Sequence, residues 1–394
     1  MPGVTKHIYD HEKRDIILMW NNQLKSIQKC LPKSYREEDI VFLLKKHYPH
    51  EWSSVENKYW YYERKDKYLI KHFNKARYCM LKPHKLLQST QIYRNIMRPI
   101  YRNNYVLSFS QGEMINENEK LWKKRAPKIE KINKKIEMAK QKTQQVTPAY
   151  LDQLIGLYER KNTSQKDKMY IIVELEKYYS FEIIQFFFKL NDTELNKQLR
   201  WIAFKHLQSF NFQPRARRQK YMQVHTKNKK RKQYLKEVYP YEKYNIPKNP
   251  DELEYRIENS KEQKIKKFDF FISHSSRDSS DVQKLIIYEN KQGKNIFCDW
   301  INDSDYLKRN LVCKATLNVL EKRLEQSEAM IFVDSRNSKE SVWCKYELNY
   351  FYELGKPIYT INKQDIEKDV YVLELLDSKW FIDKNYKMIE LLKK

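Results

Sequence analysis

Glycine is scarce in this chain of 394 residues. The five that occur, Gly3, Gly112, Gly156, Gly293 and Gly355, never cluster in one short turn, so neither a GxGxxG nor a Walker A loop has a place. Cysteine is as rare. Cys30, Cys79, Cys298, Cys313 and Cys344 are odd in number, widely spaced and without a CxxC pair. That argues against a disulfide framework or zinc knuckle and points to a reducing, cytoplasmic setting. Long apolar runs are missing too: the greasiest, Tyr170 to Leu190, is interrupted by Glu174, Glu176, Lys177 and Glu182. The opening MPGVTKHIYDHEKRD has no apolar core for a signal peptide, so no membrane association is expected.

Positive charge, by contrast, is abundant and unevenly placed. The net charge is +26, yet residues 267–394 hold 21 Lys and Arg and 21 Asp and Glu. The whole excess therefore lies in residues 1–266, and two differently composed parts are joined. The length fits two or three domains, and a hydrophobic content of 41% argues against wholesale disorder.

Residues 1–212 read as a helical region. DIVFLLKKHY (39–48) and KYWYYERKDKYLIKHF (58–73) are short aromatic and basic helices, and 113–145 is a solvated helical connector broken at Pro127. KDKMYIIVELEKYYSFEIIQFFFKL is apolar nearly all round, with Leu195, Leu199, Ile202 and Leu207 at helical spacing after it. This pattern predicts a buried, HEAT-like helical hairpin whose second helix starts at Asn191, with Glu194 three residues on. Residues 213–266, with Pro214, Pro240, Pro247, Pro250 and the densest basic run, read as a linker.

From Lys267 the pattern changes. FDFFIS (268–273), NIFCDW (295–300), AMIFVD (329–334) and PIYTIN (357–362) are apolar runs of strand length. DVQKLIIYEN, ATLNVLEKRLEQS and KESVWCKYELNYFYELG, between them, are each long enough for a crossover helix. The order predicts a parallel sheet covered on both faces, within a multidomain protein. KMIELLKK closes the chain as a last helix.

FDFFISHSSRD, NIFCDW, AMIFVDS and SVWCKYELNYF stand in the order and spacing of a TIR domain, and residues 267–394 resemble that family, in its bacterial, NAD-cleaving type. The resemblance implies a flavodoxin-like fold with the ligand site at the carboxyl ends of the strands. In enzymatic members a glutamate near the start of the third helix cleaves the nicotinamide–ribose bond of NAD, with an aromatic residue four positions before it. Glu347 and Trp343 match that pair, and i, i+4 spacing allows both to face one cleft. A carboxylate suits this chemistry because nicotinamide loss builds positive charge at the anomeric carbon. The departing pyridine leaves neutral, so no general acid is required. NAD is thus substrate and no separate cofactor is implied.

The resemblance further points to His274 and Ser275, just after the first strand, as pocket residues, and to Ser341 in register with Trp343 and Glu347. Arg277 or Asp278 either reach the diphosphate or ribose, or begin the following helix. Asp299 and Trp300 match an Asp-Trp common in bacterial TIR-like sequences. The following INDSDYLKRNLVC occupies the position of the BB loop but lacks glycine and proline. Its Asn302, Asp303 and Asp305 read as a solvated loop, without the ligand set of a metal site.

In residues 1–266, bases interleaved with aromatics suit phosphate backbones, with Arg215, Arg217, Arg218, Lys229, Lys230, Arg231 and Lys232 as a candidate strip. Protein binding and a merely basic scaffold stay open beside nucleic-acid or other polyanion binding. The overall expectation is a latent NAD hydrolase or cyclase of anti-phage defence, set off by a nucleic-acid or phage-derived trigger and by self-association of TIR domains. A non-enzymatic TIR adaptor, or a nucleic-acid-binding protein multimerised by its TIR domain, are the alternatives.

Overall fold

The computed structural model describes residues 4–214, 229, 233, 244–307 and 312–376. By packing, the chain divides into two compact units, Met1–Met138 with Phe187–Leu235 and Ala139–Phe186 with Lys236–Lys394. The expected last helix, KMIELLKK, lies outside the described residues. Among the described residues, no helix is long and apolar enough to cross a membrane.

The first unit is helical. Prolines open three of its helices, Pro49–Phe73, Pro83–Gln88 and Pro99–Ser108, where a missing N–H is no loss. Trp20, Leu24 and Ile27 of helix Val4–Ile27 pack with Ile40, Leu44, Trp52, Leu86 and Ile96 in one core. Pro127 does not break the connector. Helix Gln111–Lys140 runs through it, with the loss of one backbone bond on an exposed stretch.

The apolar stretch expected as one helix of a hairpin forms two, Gln165–Leu175 and Phe181–Thr193, followed by Lys197–Ser209. The break has a cause. Lys177 O accepts from Gln144 N at 2.9 Å and Tyr179 N donates to Gln144 O at 2.8 Å, which draws residues 177–179 out of helical pairing. The helix start expected at Asn191 is also displaced: Asn196 is the cap, accepting from Gln198 N and Leu199 N.

The second unit is built on a five-stranded sheet of order β2-β1-β3-β4-β5. The strands are β1 (Phe268–Ser273), β2 (Ile296–Phe297), β3 (Ser327–Asp334), β4 (Ile358–Asn362) and β5 (Glu374–Leu375). All pairings are parallel except β4 with β5. Alternation along β1 and β3 sends Phe271, Met330 and Phe332 into one apolar cluster with Leu348 and Phe351. Ile272, Ile331 and Val333 enter the other, with Val282, Leu285 and Ile286.

Two departures concern the region after β2. The strand expected over 295–300 pairs only at Ile296 and Phe297, because Asn302 Oδ1 accepts from Cys298 N at 2.9 Å and winds Asp299–Asn302 into a helical turn. Nor are Asn302 and Asp303 solvated; both are buried. Asn302 Oδ1 also accepts from the Gln144 amide at 3.2 Å. That same amide accepts from Ile296 N at 2.9 Å and donates to Ile296 O, so one side chain caps the free edge of β2 as a neighbouring strand would.

Asp303 meets Arg323 at 2.8 Å with both side chains fully buried. Lys177 reaches Asp303 at 3.5 Å and Glu174 at 2.9 Å, and Lys266 pairs with Glu174. Gln263 bridges Arg323 and Glu174. Burial alone would raise the Asp303 carboxyl, but Arg323 and Lys177 hold it below the usual carboxylate range. Segment 139–186 is thereby bound to the loop after β2.

Removing one partner of such a cluster strands a buried charge. Arg323→Met should therefore lose about 3–5 kcal/mol in urea unfolding. Breaking the exposed Arg336–Glu340 pair with Arg336→Ala should change it by about 0.5 kcal/mol or less. Equal unfolding midpoints for the two variants would remove the cluster from the account of stability.

Candidate active site

The strand order reverses between β1 and β3, and an open α/β sheet receives ligands outside the carboxyl ends of its strands at such a point. Ser273 ends β1 there, paired in register with Phe332 of β3. Helix Val342–Glu353 starts close by. Ser341 caps it, its hydroxyl accepting from Cys344 N at 3.3 Å. Cys344, Leu348 and Phe351 face the apolar cluster at helical spacing. Glu347, three residues after Cys344 and four before Phe351, shares that face.

The result is a carboxyl group turned inward. Glu347 is half-buried, and Ser273 Oγ donates to its Oε2 at 2.6 Å. Removal from water pushes the Glu347 carboxyl up to about 8; the Ser273 hydrogen bond opposes this, and the charge of Asp299 adds to it. The Cys298 and Cys344 thiols are pushed up by the same burial and by the neighbouring Asp299 and Glu347 carboxylates.

His274, Cys298 and Asp299 place one ligand atom each within 4.8 Å of one another. The His274 ring nitrogens and one Asp299 oxygen already have partners. Trp300 Nε1–H donates to His274 Nε2 at 3.1 Å, which leaves the proton on Nδ1, 3.3 Å from Ile272 O. Asp299 accepts from Trp300 N at 2.8 Å, and a thiol raised by burial is a poor metal ligand.

The other expected pocket residues are distributed differently. Ser275 is half-buried and caps the turn Ser276–Asp278, accepting from Arg277 N, while Arg277 is exposed. Asp278 is fully buried and accepts from Ser335 Oγ at 2.6 Å and Asn337 Nδ2 at 2.8 Å, with Lys363 at 3.2 Å. It ties the ends of β1, β3 and β4 together. Trp343 is partly buried against the apolar cluster that contains Phe351. A cavity of about 270 Å³ opens at the carboxyl ends of β3 and β4, lined by Asp334, Arg336, Lys339 and Lys363 but not by Glu347. Ser273, Cys298 and Cys344 escaped the sequence reading, although Ser273 directly precedes His274. In the basic strip Lys229 is exposed; Arg215, Arg217, Arg218, Lys230, Arg231 and Lys232 lie outside the described residues.

Residues 271–368 match the family described as Thoeris protein ThsB, TIR-like domain. A protein of Cytobacillus dafuensis named putative cyclic ADP-D-ribose synthase TIR2 is 36% identical over 365 residues, 93% of each chain. This chain belongs to the family of that TIR protein, with a ThsB TIR-like domain towards its C-terminal end. The probable 3' cyclic ADP-D-ribose synthase ThsB' of Bacillus cereus is 35% identical over 99 residues, 25% of this TIR protein and 50% of the relative. Toll-like receptor 2 of Bos indicus is 34% identical over 83 residues, 21% of this chain and 10% of the receptor. No solved structure matches it.

The raised carboxyl has a consequence for stability. Glu347 takes up its proton near pH 8 when folded but near its ordinary 4.5 when unfolded. The folded state therefore binds more protons across that window, and its stability falls as pH rises through it. Glu347→Gln removes the linkage. Its melting temperature should exceed that of the natural protein at pH 8.5 by more than at pH 5, and a constant difference across that range would contradict the buried carboxyl.

Proposed function

We propose that the chain cleaves the nicotinamide–ribose bond of NAD, with Glu347 as the catalytic carboxylate, and closes the released ADP-ribose into a ring. The observation that carries this reading is the desolvated Glu347 carboxyl at the β1/β3 switch point, held by Ser273. Cleavage sends the electron pair of the C–N bond to the pyridine nitrogen, which leaves as neutral nicotinamide. The positive charge moves to the anomeric carbon and ring oxygen, where a carboxylate in a poorly hydrated setting stabilises it strongly. Attack by a nucleophile of the same ADP-ribose then restores the carbon and releases one proton. The names of the two bacterial relatives support the cyclic product.

The Thoeris description of the matching family supports placing the reaction in anti-phage defence, the setting that the TIR resemblance implies. Side-by-side association of TIR domains as the activating step belongs to the same proposal.

The test is incubation of the purified protein with NAD and chromatographic separation of nicotinamide, linear and cyclic ADP-ribose. Nicotinamide with a cyclic product is expected, and Glu347→Gln should lower the rate by about 10²-fold or more. Because the charged form acts, kcat/KM should rise with pH up to about 8. The acid limb of kcat should lie lower, since bound nicotinamidium favours the carboxylate. Full activity in Glu347→Gln would end the assignment, and linear ADP-ribose alone would replace the cyclase by a hydrolase.

A further inference from the structure

Ser273 is a polar residue on an apolar face, and its hydroxyl meets the Glu347 carboxyl and the Cys344 thiol. It is fully buried, and alternation along β1 turns it to the same side as Phe271, towards the cluster of Leu348 and Phe351. An apolar side chain would fit that face. Its hydroxyl instead donates to Glu347 Oε2 at 2.6 Å, at the short end of O–H···O hydrogen bonds. Pairing with Phe332 across the sheet fixes its backbone. The described residues give Glu347 no other hydrogen-bond partner.

We propose that Ser273 is a positioning residue: its hydroxyl orients the Glu347 carboxyl and favours its charged form. The groups facing Glu347 otherwise oppose that form. Asp299, which opens the helical turn after β2, is a like charge, and the Cys298 and Cys344 thiols offer none of the opposite sign. A donor to the carboxylate is thus the one interaction here that lowers the proton affinity of Glu347. The kinetic part rests on Glu347 acting in NAD cleavage. The titration part does not.

The experiment uses the full chain, with Glu δ-carbon labelling to follow Glu347 by NMR across pH 5 to 10, its signal assigned by loss in Glu347→Gln. The pH dependence of kcat/KM for NAD is recorded in parallel. Ser273→Ala should move the Glu347 titration and the acid limb of kcat/KM up by about one pH unit. Turnover at pH 7 then falls about tenfold and recovers at high pH. Ser273→Thr, which keeps the hydroxyl, should restore both. A residue serving only packing would change the amplitude of the profile and leave its midpoint in place.

An unshifted Glu347 titration in folded Ser273→Ala would overturn the proposal. Should that variant not fold, Ser273→Cys, a near-isostere and weaker donor, must shift the titration in the same direction, and no shift there overturns it equally. Absence of NAD cleavage by the natural protein at every pH would sink the NAD reading alone, since the titration still decides the role of Ser273.

Discussion

Glu347 is charged only against the resistance of its surroundings, and much of the second unit is arranged around that resistance. An ionised carboxyl removed from water is unfavourable unless something opposes the loss of hydration. Here the helix face that buries Cys344, Leu348 and Phe351 carries Glu347 inward with them, while Asp299 adds repulsion. A purely structural site would supply a cation. Asp278 and Asp303, buried where Glu347 is half-buried, have Lys363 and Arg323, and both are held below the usual carboxylate range despite burial. Glu347 has only a serine. That contrast, two carboxylates beside cations and one without, is what marks Glu347 as the candidate site residue.

How much of this was legible beforehand depended on the range of the interaction. Strands β1, β3 and β4 read directly as apolar runs, because both faces of a parallel sheet are covered. The Trp343/Glu347 pair was singled out by the TIR resemblance, and spacing alone would not have distinguished it. The buried Asp303 and the division of the long apolar stretch were not, since they depend on Arg323 and Gln144, 20 or more residues away, and the short β2 was not, since an asparagine side chain that bonds back to Cys298 N has no signature in an apolar run. A glutamine between two lysine-rich segments carries no local sign that its amide will stand in for a strand. Ser273 was hidden for the same reason: a serine at a strand end has no signature until a helix lays a carboxyl over it.

Charge composition was informative at one level and silent at another. The neutrality of residues 267–394 marked a change of composition, but the second unit also takes in 139–186 and the residues from Lys236, with helix Pro250–Asn259 burying Leu253 and Ile257 inside the stretch expected as a linker, and net charge says nothing about which charges are buried. In the second unit Glu174, Asp303, Lys177, Lys266 and Arg323 form a nearly balanced cluster out of water. Well-packed apolar residues could hold such a place as stably, so its presence is better explained by the fixed geometry it imposes than by net stabilisation.

That geometry bears on the site through a single helical turn. Asp299 opens the turn Asp299–Asn302 and Asp303 closes it, Asp303 N donating to Asp299 O at 2.9 Å. At one end of the turn Asp299 raises the proton affinity of Glu347; at the other Asp303 is locked to Arg323 and, through Lys177, to segment 139–186. Gln144 clamps the strand that leads into it. Asp299 itself is exposed, so water partly screens its repulsion, and it stands last among the influences on the Glu347 carboxyl, after burial and the Ser273 hydrogen bond.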